Sequence, residues 1–147
     1  MLSIDTNILL PAVEAGDKAH IAAAAFLQSL QDREDVAISE FILLELYGLL
    51  RNPAVLARPL GAPMASQVCE AFRAHPRWQL VGFPTESRAF HDRLWPHLRE
   101  KGFGRRRAYD LRTALCLLRN GVTEFATVNV KDFQGIGFGR VWNPLLA

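Results

Sequence analysis

The chain has little of what marks several large protein classes. It carries two cysteines in 147 residues, Cys69 and Cys116. They lie far apart without metal-ligand spacing, which excludes a disulfide scaffold and argues against a zinc or iron–sulfur centre. No apolar run reaches the roughly 18 residues that cross a bilayer. The N-terminus lacks the basic start and small-residue cleavage site of a secretory signal. There is no internal repeat, no low-complexity tract, and no G-x-G-x-x-G, Walker or G-x-S-x-G motif. The four histidines share no ligand spacing. The expectation is a cytoplasmic protein with no membrane contact, its thiols reduced and in the core. Residues 1–147 read as one domain, long enough to bury a core.

What is present is an ordinary globular composition, 50% hydrophobic and 22% charged. The net charge of +2 hides an asymmetry. Residues 1–60 hold four Lys/Arg against eight Asp/Glu, a net of −4, and residues 61–147 hold thirteen against seven, a net of +6. A basic second half is a modest hint of an anionic partner.

The opening stretch, Met1 to Asn7, is an apolar run that ends abruptly in Asp5-Thr6-Asn7. It reads as a buried strand delivering a charge to the carboxyl edge of a sheet, where parallel α/β proteins bind ligands. Asp5 also suits the cap of the next helix. The company it keeps favours a site role and leaves the capping to Thr6 or Asn7. Ala19 to Leu30 has helical spacing, and Val36 to Ile38 is a second short strand. Ser39 caps a helix over Glu40 to Leu50 that is apolar nearly all round, which predicts a buried helix. Glu45 interrupts it. A buried carboxylate needs a partner, a proton or a metal; a Glu–Arg pair, or a glutamate at the edge of a groove, would also serve.

Further on, Met64 to His75 is amphipathic, Trp78 to Phe83 is a third strand, and Glu86 to Glu100 is a helix that Pro96 should kink or break. The basic loop Lys101 to Arg107 leads into a helix from about Ala108 to Asn120. Its core stripe is Leu111, Ala114, Leu115 and Leu118, and Gly121 caps its end. Asp110 lies on its first turn. Phe125 to Val128 is a strand followed by Asn129 and Lys131-Asp132-Phe133, and Val141-Trp142 adds an edge strand. Strands alternating with helices predict an α/β fold: a three-layer α/β/α sandwich around a mainly parallel sheet of four to five strands.

In such a sheet the strand carboxyl ends and helix amino ends share one edge, so Asp5, Asp110 and Asn129 or Asp132 are placed to converge. Carboxylates brought together repel and raise one another's pKa unless a cation neutralises them. An all-oxygen site suits Mg²⁺ or Mn²⁺, and the chemistry implied is metal-assisted phosphodiester hydrolysis. Arg105, Arg106 and Arg107 sit where they oppose the helix dipole, so a phosphate backbone or an acidic protein tail would explain them, as would a plain solvated loop. Arg112 and Lys131 extend the basic patch or pair with a neighbouring acid.

Ile4-Asp5-Thr6-Asn7, Leu44-Glu45-Leu46, Tyr109 to Ala114, and Ala126 to Phe133 together resemble the PIN domain, and more narrowly the VapC-type ribonuclease toxins of bacterial toxin–antitoxin pairs. The resemblance covers nearly the whole chain, with the four motifs in order. It implies a Mg²⁺- or Mn²⁺-dependent endoribonuclease, usually a homodimer, neutralised by a cognate antitoxin. By motif match, Asp5, Glu45, Asp110 and Asp132 are the catalytic carboxylates. Asp5 and Asp110 would be principal metal ligands, with Glu45 completing the site directly or through water. Where many members carry a fourth acid after the last strand this chain has Asn129, so Asn129 or Asp132 completes the set. Thr6, Asn7, Arg105, Arg106, Arg107, Asn129 and Lys131 are assigned to the substrate. The alternatives are a PIN-like nuclease of RNA processing or DNA, and a non-catalytic domain that binds a partner.

Overall fold

The computed structural model describes residues 1–146. In chain order its elements are β1 (Leu2–Ile4), α1 (Thr6–Val13), α2 (His20–Leu30), β2 (Val36–Ser39), α3 (Glu40–Leu50) and α4 (Ala62–Arg73). There follow β3 (Gln79–Val81), α5 (Ser87–Leu98), α6 (Arg107–Arg119), β4 (Glu124–Ala126), α7 (Val130–Phe133) and β5 (Arg140–Trp142). The five strands form one sheet in the order β3-β2-β1-β4-β5, every neighbouring pair parallel. The expected α/β architecture is therefore observed, at the upper end of the expected strand number.

Right-handed crossovers decide where the helices go. From β1 the chain steps twice in one direction, to β2 and β3, and then returns past β1 to β4 and β5. The first steps place α1 to α4 on one face and the return places α5 to α7 on the other. The packing agrees: α1 contacts α2 and α3, and α3 contacts α4, while α6 contacts α5 and α7. The reversal between β1 and β4 is the switch point at which open α/β sheets bind ligands.

The core is built on the central strand. Ile4, Ile8, Leu9, Ile38, Ile42, Leu46, Leu117 and Phe125 are fully buried between sheet and helices. Each such aliphatic side chain contributes about 1.5–3 kcal/mol. Ser3 is buried in β1 and donates from Oγ to the Ala37 carbonyl at 2.7 Å, so a polar group in the core is satisfied. Cys69 and Cys116 are buried free thiols, as expected.

Local signals explain the helix ends nearest the site. The Ser39 hydroxyl accepts from the Phe41 amide at 3.2 Å, the cap read from the sequence. Gly121, at φ +83°, ends α6: its N–H bonds the Leu118 carbonyl and the Val122 N–H reaches Leu117. That pair of bonds is a Schellman ending, and its left-handed residue favours glycine.

Three expectations need correction. α3 is not buried all round: Leu44 is 66% exposed and Glu45 and Gly48 are also open, because no element covers that face of the helix. On α6 the buried stripe is Leu111, Ala114 and Leu117, with Leu115 and Leu118 only half-buried. The stripe runs one residue earlier because Cys116 and Leu117 together take the inner side. Pro96 lies inside α5, which continues past it to Leu98, so it does not break the helix.

Candidate active site

Asp5 follows β1 directly, at the switch point. Its own N–H donates to the Ala126 carbonyl at 2.9 Å, which carries the β1–β4 ladder one step beyond the strands. Its backbone is extended, and its Oδ1 accepts from the Thr6 amide at 2.7 Å, so Asp5 is itself the N-cap of α1. The sequence pattern offers the cap to Thr6 or Asn7; the structure makes Asp5 itself the cap. Capping fixes the carboxylate at the mouth of the sheet.

The other oxygen is held by a residue that sequence reasoning passed over. Thr127, fully buried just past β4, donates from Oγ1 to Asp5 Oδ2 at 2.6 Å. The same oxygen accepts from Asn7 Nδ2 at 3.1 Å and from the Asn129 amide at 3.0 Å. A hydroxyl has one proton and two lone pairs, so this one is saturated and its proton has a single destination, Asp5. Asn7 completes the clamp by accepting from the Val128 amide at 3.0 Å. Each Asp5 oxygen has thus accepted one bond and keeps one lone pair.

The electrostatics of the corner are unfavourable for a lone anion. Burial pushes the Asp5 carboxyl up to about 6; the Thr127 and Thr6 hydrogen bonds pull against that, while Glu45 and Asp110 add repulsion. Glu45 is raised by desolvation, partly offset by the Thr6 hydroxyl, with Asp110 repelling it. Asp110 is raised by desolvation and by Asp132, and Arg107 relieves it in part. Asp5, Glu45 and Asp110 thus act on one another, and Asp132 acts on Asp110. Among the described residues, no three carboxylate, histidine or cysteine side chains close on one point as a ready-made cage.

The structure divides the remaining expected residues. Glu45, Arg106 and Asp110 line one groove of about 490 Å³ with Phe41, Leu44, Tyr109, Arg112 and Thr113. Asn129, Lys131 and Asp132 line a neighbouring cleft of about 450 Å³ with Val128, Val130, Asn143 and Leu146. Glu45 is not the buried, interrupting charge expected of it but an open residue of the groove wall. Thr6 is 2% exposed between α1 and α3, its hydroxyl 3.4 Å from the Ile42 carbonyl and also within reach of Glu45. Asn7 is spent on the Thr127 clamp. Arg107 is also engaged: its Nη2 donates to the Asp132 carbonyl at 3.2 Å and its guanidinium lies 5.5 Å from the Phe103 ring centre. Arg105 and Arg106 are exposed.

The donor set is hard oxygen throughout, with two lone pairs of Asp5 unspent and Glu45 and Asp110 acting on it through space. Those donors fit Mg²⁺ or Mn²⁺ and fit thiophilic metals poorly.

No family model matches the chain. Ribonuclease VapC24 of Mycobacterium tuberculosis, in strains CDC 1551 / Oshkosh and ATCC 25618 / H37Rv, is 48% identical over 145 residues, 99% of this chain and 97% of the relative. Among solved structures, the fold is shared with Mycobacterium tuberculosis VapC20, a Sarcin-Ricin loop cleaving toxin, at TM-score 0.69 and 18% identity over 94% of this chain and 96% of that one. It is shared also with VapBC2 from Rickettsia felis bound to a DNA fragment from their promoter, at TM-score 0.65 and 20% identity over 97% of each chain. The solved structures speak for the fold; the nearly full-length identity to VapC24 speaks for descent. The chain belongs to the VapC family of PIN-domain ribonucleases.

Proposed function

We propose that this protein is an endoribonuclease dependent on Mg²⁺ or Mn²⁺, and the toxin of a VapBC-type toxin–antitoxin pair. The observation that carries the reading is Asp5: a carboxylate buried at the sheet's switch point, fixed by two hydrogen bonds, and raised to about 6 by burial and by two neighbouring acids. Such a group is held at a cost that a divalent cation removes. Asp5 and Asp110 would be its main ligands, Glu45 a third directly or through water, and Asp132 or Asn129 the fourth. The bound cation would supply charge neutralisation at phosphorus and a water activated for attack.

The chain's own residues then have separate tasks. Thr127 and Asn7 hold Asp5 in one orientation. Glu45 and Asp110 close the groove side. Arg105, Arg106 and Lys131 draw the RNA backbone towards an otherwise acidic edge, and Arg107 ties α6 to α7 beside Asp132. Ribonuclease VapC24, at 48% identity, supports RNA over DNA as the substrate. The VapBC2 assembly supports a cognate antitoxin as partner. A homodimer working in the cytoplasm, where Cys69 and Cys116 stay reduced, completes the reading; no helix among the described residues is long and apolar enough to cross a membrane.

The test is RNA cleavage in Mg²⁺ by Asp5→Asn and Asp110→Asn, each checked for an unchanged fold by circular dichroism. Both should be inactive. Cleavage at the wild-type rate by folded versions of both would overturn the reading.

A further inference from the structure

Arg112 is set apart from the other arginines by a closed-off Nε. Arg33, Arg73, Arg77, Arg88, Arg119 and Arg140 each face a carboxylate, while Arg105 and Arg106, which face none, are exposed. Among the described residues Arg112 faces none. Its Nε is shut off from solvent and has no acceptor. Its guanidinium lies over the Phe41 ring, 4.3 Å from the centre, and over the Tyr109 ring at 5.5 Å. Leaving a closed N–H unanswered is destabilising, so stability alone does not explain an arginine here. The rings hold the guanidinium by cation–π attraction, while its remaining donors belong to a side chain that lines the groove beside Asp110 and Glu45.

The aromatic neighbours are unequal. Phe41 is 7% exposed and packed edge-on against Phe83 at 4.6 Å, a rigid floor. Tyr109 stands three residues before Arg112 on the same helix, where side chains are neighbours, and is 68% exposed. An unpaired guanidinium beside an open aromatic ring offers one ligand an anion contact and a stacking surface together. A nucleotide has both a phosphate and a planar base. An acidic peptide has only the first, and its carboxylates gain nothing from the ring.

We propose that Arg112, Tyr109 and Phe41 form a nucleotide subsite flanking the acidic cluster. Arg112 takes a phosphate next to the one cleaved, the Tyr109 ring stacks on the attached base, and Phe41 keeps Arg112 in place. Arg112 and Tyr109 are thus positioning and selecting residues for the RNA, which rests on the ribonuclease reading above.

The experiment is steady-state cleavage of a mixed-sequence single-stranded RNA in Mg²⁺ by the full chain, across a salt series. Arg112→Met should raise KM about tenfold with little change in kcat, and make the slope of log kcat/KM against log salt shallower by about 0.7, the loss of one phosphate contact on a single strand. Arg112→Lys should keep the slope. Tyr109→Ala should raise KM by about 5- to 150-fold without altering the slope, and Tyr109→Phe should restore it. Tyr109 is exposed, so Tyr109→Ala and Tyr109→Phe carry the test if Arg112→Met fails to fold. Unchanged KM and slope in folded Arg112→Met and Tyr109→Ala would overturn the subsite. So would normal RNA kinetics with lost binding of a poly-glutamate peptide, which would assign the patch to a protein partner. Wild-type protein that cleaves no RNA would instead fail the ribonuclease reading itself.

Discussion

The Asp5 corner and the α3–α6 wall border the proposed site but are held in different ways. At the corner, Asp5, Asn7 and Thr127 are locked by five hydrogen bonds, three of which join the exit of β1 to the exit of β4. On the wall, Glu45, Arg106 and Tyr109 are all exposed and carry no such network. Networks in low dielectric are stiff and costly to break, whereas side chains on an open helix face can follow a substrate. The difference suggests a division of labour: the corner fixes where the chemistry happens, and the wall adapts to what is brought there.

The sharpest break of that comparison is substitution of Asp5 itself. Loss of residues that merely orient a metal ligand costs about 10- to 100-fold, so Asp5→Asn should cost more than about 100-fold in RNA cleavage. Asp132→Asn, in the neighbouring cleft, should cost less, and a rate assay of the two side by side checks the order. Next in size is the pH dependence of stability without divalent cation. The Asp5 carboxyl titrates near 3.8 when unfolded and near 6 when folded. A raised acid makes the folded state lose ground as pH climbs between those values. The loss, on the order of 2–3 kcal/mol, is complete above about pH 6. Glu45 and Asp110, also raised, act in the same direction. Urea denaturation in EDTA should therefore show lower stability at pH 7.5 than at pH 4.5, with a flatter profile for Asp5→Asn. Thr127→Val is the subtlest probe, since it keeps the shape and removes only the hydroxyl. It should cost about 10- to 100-fold in activity or metal affinity. Equal rates for Thr127→Val and wild type would show that the corner is no stiffer than the wall.

Much of the fold was legible because its signals are local. Apolar runs gave β1, β2 and β4, Ser39 and Gly121 marked helix ends, and even the three-residue β5 showed in Val141-Trp142. The phase and openness of helices were less legible. α3 reads as buried from composition because Leu44 looks like a core residue, and only the missing cover on that face makes it a groove wall. On α6 the buried stripe is set by packing and not by periodicity: Leu117 joins the main core while Cys116 packs with Phe41 and Phe90. Within the site, Asp5, Glu45 and Asp110 stood out as charges in apolar settings. Thr127 did not, because threonine is an ordinary strand residue and its bond to Asp5 spans 122 positions of sequence. The available signal was the echo of Asp5-Thr6-Asn7 in Thr127-Val128-Asn129, two strand exits bearing hydroxyl and amide groups. Its meaning depends on β1 and β4 being neighbours.

The central claim is that crowded carboxylates around Asp5 await a divalent cation. Calorimetric titration of Mn²⁺ into the wild-type protein and into Asp5→Asn at pH 7.5 tests it most directly. Saturable binding to the wild type that weakens at least tenfold in Asp5→Asn is expected. No binding to the wild type, or the same affinity in both proteins, would contradict it.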